Sequence, residues 1–79
     1  MSVPREPDHY HPTTHCIDRV KQRDVNWEFV SQTIQHGTVK NSHREGCKLF
    51  IQDFQGLSDP VGVVANVETG HILTVEWRR

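Results

Sequence analysis

Nine residues, His-Cys-Ile-Asp-Arg-Val-Lys-Gln-Arg from His15 to Arg23, hold the densest chemistry in the chain. His15, Arg19 and Arg23 fall at i, i+4 and i+8, which on a helix is one continuous stripe. An imidazole titrates near neutral pH, and a guanidinium keeps its charge and offers a planar fork of donors. Together they suit an anion, phosphate above all. Cys16 stands beside His15, but neighbouring residues on a helix diverge by about 100°, so the two side chains do not meet as nucleophile and base. Cys16 is expected as a small core residue.

A helix must carry this stripe. Thr13 or Thr14 can cap it, and it is expected to run to about Arg23 or Asp24. Ile17 and Val20 mark its inward side, with Cys16 at the edge and the His/Arg stripe on the adjacent flank, where a cleft would lie. Asn26 is a good cap for a second helix from Trp27 to about His36, with Gly37 closing it. Its inward face is Trp27, Val30 and Ile34, and Trp27 is expected to anchor the core. Val25 can staple back onto Phe29 or Val30.

Beyond Gly37 the period becomes extended. Thr38 to Ser42 reads as a polar edge strand and Arg44-Glu45-Gly46 as a turn. Lys48–Phe54, Val61–Val67 and His71–Trp77 read as three stronger strands, the last two joined at Glu68-Thr69-Gly70. Two N-terminal helices packed on a three- to four-stranded antiparallel meander is the economical α+β solution. Residues 13–79 form this single domain, and residues 1–12, broken by Pro4, Pro7 and Pro12, form a flexible or extended lead-in.

Nine basic and ten acidic residues among 79 give a net charge of −1, so any polyanion site is local rather than a basic coat. Two cysteines make no disulfide framework, and no run approaches the ~20 apolar residues of a membrane span. The N-terminus lacks an apolar signal region, so a cytoplasmic, membrane-free protein is expected. His9, His11, His15 and Cys16 crowd into eight residues, with His43 and Cys47 further on. No matching second pair of ligands accompanies them, so neither metal nor cofactor is expected, and His9 and His11 remain the residues a metal would use.

Three stretches resemble a known family: Thr14-His15-Cys16-Ile17-Asp18-Arg19-Val20-Lys21-Gln22-Arg23, then Gly37, then Gly70-His71-Ile72-Leu73-Thr74-Val75. The chain resembles the domain-of-unknown-function family four-two-five-eight, with Asp24 where that family usually has Gly. The family's architecture is similar to that of the RelE and BrnT ribonuclease toxins, so the resemblance implies a metal-independent endoribonuclease-like site between first helix and sheet. RNA cleavage of that kind needs a base, an acid and cations for the phosphorane charge. His15 is then acid or base, Arg19 and Arg23 clamp phosphate, and Lys48 with one of Thr74 and His71 are the candidates to complete the site from the sheet. Strand alternation sets His71 and Thr74 on opposite faces. Trp77 is expected, like Trp27, to anchor the core, with base stacking as its alternative role, and Arg78 and Arg79 extend a basic rim or are simply solvated. RNA or a cognate, antitoxin-like protein are the partners this implies. The rival reading is a non-catalytic protein-interaction module, in which Arg19 and Arg23 are struts paired with Asp18, Asp24, Glu28 or Glu76. Monomer and dimer both stay open.

Overall fold

Helical and extended periods alternate in the chain where the residue pattern changes period, and the computed structural model follows them closely. It describes residues 3–23 and 25–77; Asp24, Arg78, Arg79 and the side chain of Arg23 lie outside the described residues. The expectations for Asp24 at the bend, for the Arg23 clamp and for the terminal arginines therefore lie outside them too.

Helix α1 spans Thr14–Arg23. Thr13 caps it: its Oγ1 accepts from the Cys16 amide at 3.2 Å, satisfying one of the donors a helix start leaves unpaired. Cys16 and Val20 are the buried residues, and Ile17 is half-buried, so the inward side is centred nearer Cys16 than the sequence pattern places it. Helix α2 spans Trp27–His36, capped by Asn26, whose Oδ1 accepts from the Glu28 amide at 2.9 Å. Its buried stripe is Val30, Thr33 and Ile34. Trp27, expected as a core anchor, sits in the first turn and is 39% exposed. Gly37 closes α2 with φ −69°, not in the left-handed region. Glycine is needed there for space: a Cβ would stand 2.4 Å from the Thr33 carbonyl oxygen and 2.8 Å from that of Ile51.

Five strands form one sheet in the order β1-β5-β4-β3-β2, with β1 His11–Pro12, β2 Thr38–Asn41, β3 Cys47–Gln52, β4 Val61–Asn66 and β5 His71–Trp77. Strands β2 to β5 make the antiparallel meander. The expectation of a three- to four-stranded, purely antiparallel sheet is corrected by β1, which pairs parallel with β5, His11 opposite His71 and Pro12 opposite Ile72. A two-residue strand has no readable period, and its prolines read only as helix breakers. Residues 3–12 carry more than β1. Arg5 donates from Nε to the Ile34 carbonyl at 2.7 Å and from its terminal nitrogen to that of Gly37, so a cation closes the C-terminus of α2. Tyr10 is buried, its hydroxyl donating to the Pro4 carbonyl at 2.7 Å and its ring set edge-on to Phe50 at 5.8 Å.

The helices cover one face of the sheet. Their buried side chains join Phe50, Val61, Val63, Ala65, Ile72 and Val75 in a single cluster. The other face carries Leu49, Ile51, Val64 and Leu73, each half-buried. No helix among the described residues is long and apolar enough to cross a membrane.

Phe50, in that cluster, is the largest of the fully buried side chains. Phe50→Ala should lower stability by about 3–5 kcal/mol, measured by urea unfolding. Burial also pushes the Cys16 thiol from 9.0 up to about 11, and raises the Tyr10 phenol against the opposing pull of Arg5. Both groups hold their protons more tightly folded than unfolded. The Cys16 contribution is therefore whole below pH 9 and lost as pH rises through about 11, and Tyr10 acts in the same direction. The melting temperature should fall across that window, and less steeply in Cys16→Ala.

Candidate functional site

The chain passes from β1 into α1 with a single residue between them, and that residue sets the position of the stripe. Thr13 donates its amide to the Ile72 carbonyl at 3.2 Å and its hydroxyl to the same oxygen at 3.0 Å, while capping α1. Since β1 pairs only with His71 and Ile72, the rest of β5 has no strand on that side, and α1 packs along it. His15 and Arg19 thereby reach an open cavity of about 600 Å³ that also takes in the uncovered sheet face.

Four elements line this cavity: α1 with its cap gives Thr13, His15 and Arg19, the β2–β3 turn gives Ser42, His43 and Arg44, β4 gives Val64, and β5 gives Leu73, Thr74 and Glu76. Arg19 is half-buried and its Nε lies 3.4 Å from His15 Nε2, so the imidazole nitrogen is the acceptor of a long hydrogen bond. His43 and Arg44 are exposed at the rim. Ser42 holds the turn, its Oγ accepting from the Arg44 amide at 3.4 Å, and the Arg44 carbonyl accepts from the Cys47 amide at 3.1 Å. Two guanidiniums and two imidazoles thus face one carboxylate, Glu76, around a floor of Val64 and Leu73. Such an arrangement can hold an anion and offers two nitrogen bases for proton transfer beside it.

Of the residues singled out in the sequence, His15, Arg19 and Thr74 come together here. The strand alternation that separated His71 from Thr74 fails at a bulge. Val64 is paired with Thr74 but Ala65 with Ile72, so Leu73 is an extra residue and the phase of β5 inverts. His71 and Thr74 then share a face, yet His71 stands at the β1 end against His11, ring centroids 4.7 Å apart, away from the cavity. Lys48 lies on the helix-covered face and donates from Nζ to Asn41 Oδ1 at 2.6 Å. Trp77 packs against the core cluster and borders a separate cavity of about 300 Å³ with residues 56–59. His9 donates from Nε2 to the Val67 carbonyl at 2.8 Å. The sequence reading passed over His43 and Arg44, which appear there as a stray histidine and a turn residue. Only the closure of the β2–β3 hairpin brings them to the stripe, and nothing local to residues 42–46 signals it.

Thr13→Val should cost about 1–2 kcal/mol in denaturant unfolding through loss of the cap. It should also shift the imidazole resonances of His15 in an NMR spectrum while leaving those of His36 unmoved.

Comparison of the chain with protein-family models, with curated proteins and with solved structures found no match.

Proposed function

We propose that this domain binds RNA through a backbone phosphate and cleaves it without a metal ion, in the manner of the RelE and BrnT ribonuclease toxins, whose architecture is similar to that of the family its sequence resembles. What carries the reading is one observation: the same cavity gathers His15, Arg19, His43, Arg44 and Thr74 from α1, the β2–β3 turn and β5. A near-neutral chain with a local cluster of cations fits a ligand held at one or two phosphates rather than along a basic surface.

In this reaction the phosphate takes over Arg19 and so frees the Nε2 lone pair of His15. That nitrogen accepts the proton of the ribose 2′-hydroxyl as its oxygen attacks phosphorus. His43, protonated, gives its proton to the departing 5′-oxygen, and the products are a 2′,3′-cyclic phosphate and a 5′-hydroxyl end. Arg19 and Arg44 stabilise the charge that builds on the equatorial oxygens, and the Thr74 hydroxyl orients one of them. Leu73 and Val64 supply an apolar floor beneath the ribose.

A second reading rests on the uncovered sheet face. Leu49, Ile51, Val64 and Leu73 form a half-buried apolar surface beside the same basic rim. A protein partner covering it would make the domain an interaction module with Arg19 as a strut.

A labelled single-stranded RNA incubated with the protein in chelator separates the two. Cleavage should persist in chelator and fall by about 10²–10⁴-fold in His15→Ala and in His43→Ala. Arg19→Ala and Arg44→Ala should each weaken binding and reduce the salt dependence by about one phosphate contact. Absence of cleavage by the wild type, or unchanged cleavage in both histidine variants, defeats the catalytic reading. Capture of a protein but no RNA, abolished by Val64→Lys, favours the interaction module.

A further inference from the structure

The crowded N-terminal histidines do not pair with one another in the fold, and one of them finds a partner far along the chain. His11 in β1 stands directly opposite His71 in β5 in a parallel register. Both side chains are exposed, with ring centroids 4.7 Å apart and ring planes at 87°. The backbone holds the pair in place from both sides: the His11 amide donates to the Gly70 carbonyl at 2.8 Å, and the Thr13 amide to that of Ile72. Gly70, at φ +81°, has no side chain where the His11 ring lies; a Cβ there would meet His11 Cε1 at 3.6 Å and the His9 carbonyl oxygen at 2.2 Å. His9 is engaged elsewhere, with Val67 and the Tyr10 ring.

We propose that His11 and His71 form a two-imidazole site for a borderline divalent transition metal such as Zn²⁺ or Cu²⁺, which clamps β1 to β5. Imidazole nitrogen is a preferred ligand for these ions, and a metal–nitrogen distance of about 2.1 Å requires the two ligating nitrogens to approach within roughly 3.5 Å. Rings already edge to face at 4.7 Å reach that by rotation about their side-chain bonds, which exposure leaves open. No group of three histidine, cysteine or acidic side chains able to hold a metal occurs among the described residues, so water fills the remaining positions and the ion exchanges freely. The clamp stands apart from the His15 cavity and does not depend on the RNA reading. Its consequence is mechanical: β1 is two residues long, so a metal bridge adds a tie between strands where the sheet has its shortest strand.

Thermal unfolding of the full chain in increasing Zn²⁺ tests this, with the spectrum of bound Cu²⁺ as the second measurement. The wild type should gain melting temperature with metal concentration, because an ion that binds only the folded pair shifts the equilibrium by mass action. His11→Gln and His71→Gln should each lose that gain, and His9→Gln should keep it. Bound Cu²⁺ should show nitrogen couplings from two imidazoles in the wild type and one in either variant. A metal response retained in both His11→Gln and His71→Gln, no response in the wild type, or coupling to a single nitrogen would overturn the proposal.

Discussion

One carbonyl oxygen, that of Ile72, joins the helical and sheet halves of the molecule. It accepts both the amide and the hydroxyl of Thr13, while the same hydroxyl oxygen takes the amide of Cys16 in the first turn of α1. A ten-residue helix is too short to hold itself together in water, so α1 exists where its tertiary contacts put it. The threonine does this without a loop. In a parallel ladder alternate residues bond to the neighbour, so His11 and Thr13 donate to β5 and the missing donor of Pro12 falls on the side away from it. Two residues later comes His15. Its position over the cavity is thus inherited from the register of β1 on β5.

The Leu73 bulge is the second constraint, and it explains what the residue pattern hid. The period of each long element was legible: α2 runs over Trp27–His36 and β5 over His71–Trp77 as read, and α1, β2, β3 and β4 differ by a residue or two at their ends. Those signals come from side-chain periodicity summed over six to ten positions. An extra residue in one strand changes no composition and breaks no period strongly, yet it turns every later side chain over. Downstream of Leu73, Val75 faces the core at 0% exposure, while Thr74 and Glu76 face the cavity. Strand β1 was hidden for a different reason, because two residues contain no repeat to read. The Trp27 expectation failed on end effects: its spacing to Val30 is right, but the first turn of α2 extends past the sheet's cover.

The core that results is built of small and branched side chains around two aromatic rings, Phe50 and Tyr10. Val30, Ile34, Val61, Val63 and Val75 join Phe50, and Cys16 and Thr33 are fully buried with them. Thr33 is buried at no polar cost, since its hydroxyl donates to the Phe29 carbonyl at 2.6 Å. No buried side-chain nitrogen or oxygen among the described residues lacks a partner. Arg5 stands over the Phe50 ring at 5.7 Å while closing α2, which ties the N-terminal segment to the centre of the core. In a chain of 79 residues, where buried area is scarce, this segment is structural cover rather than an appendage.

The cavity draws its cations from elements fixed by independent means, and this bears on what it can do. Thr13 and the β1–β5 register fix His15 and Arg19. The turn carrying His43 and Arg44 is fixed from beneath: Cys47 is buried directly after it, the Gly46 carbonyl accepts from the Val67 amide at 3.1 Å, and Gly46 takes the left-handed φ of +79° that the reversal requires. The α1 side of the cavity thus hangs on β5 and the turn side on β3, and β4 pairs with both. Like charges held on one rigid frame repel, and they can relax only by swinging into solvent or by gaining an anion. Arg19, half-buried and directed at His15, has the less freedom to swing. Glu76 relieves part of that repulsion from the strand, leaving two guanidiniums against one carboxylate. An anion held between α1 and the turn, as proposed above, would add to that relief, with the imidazoles of His15 and His43 beside it.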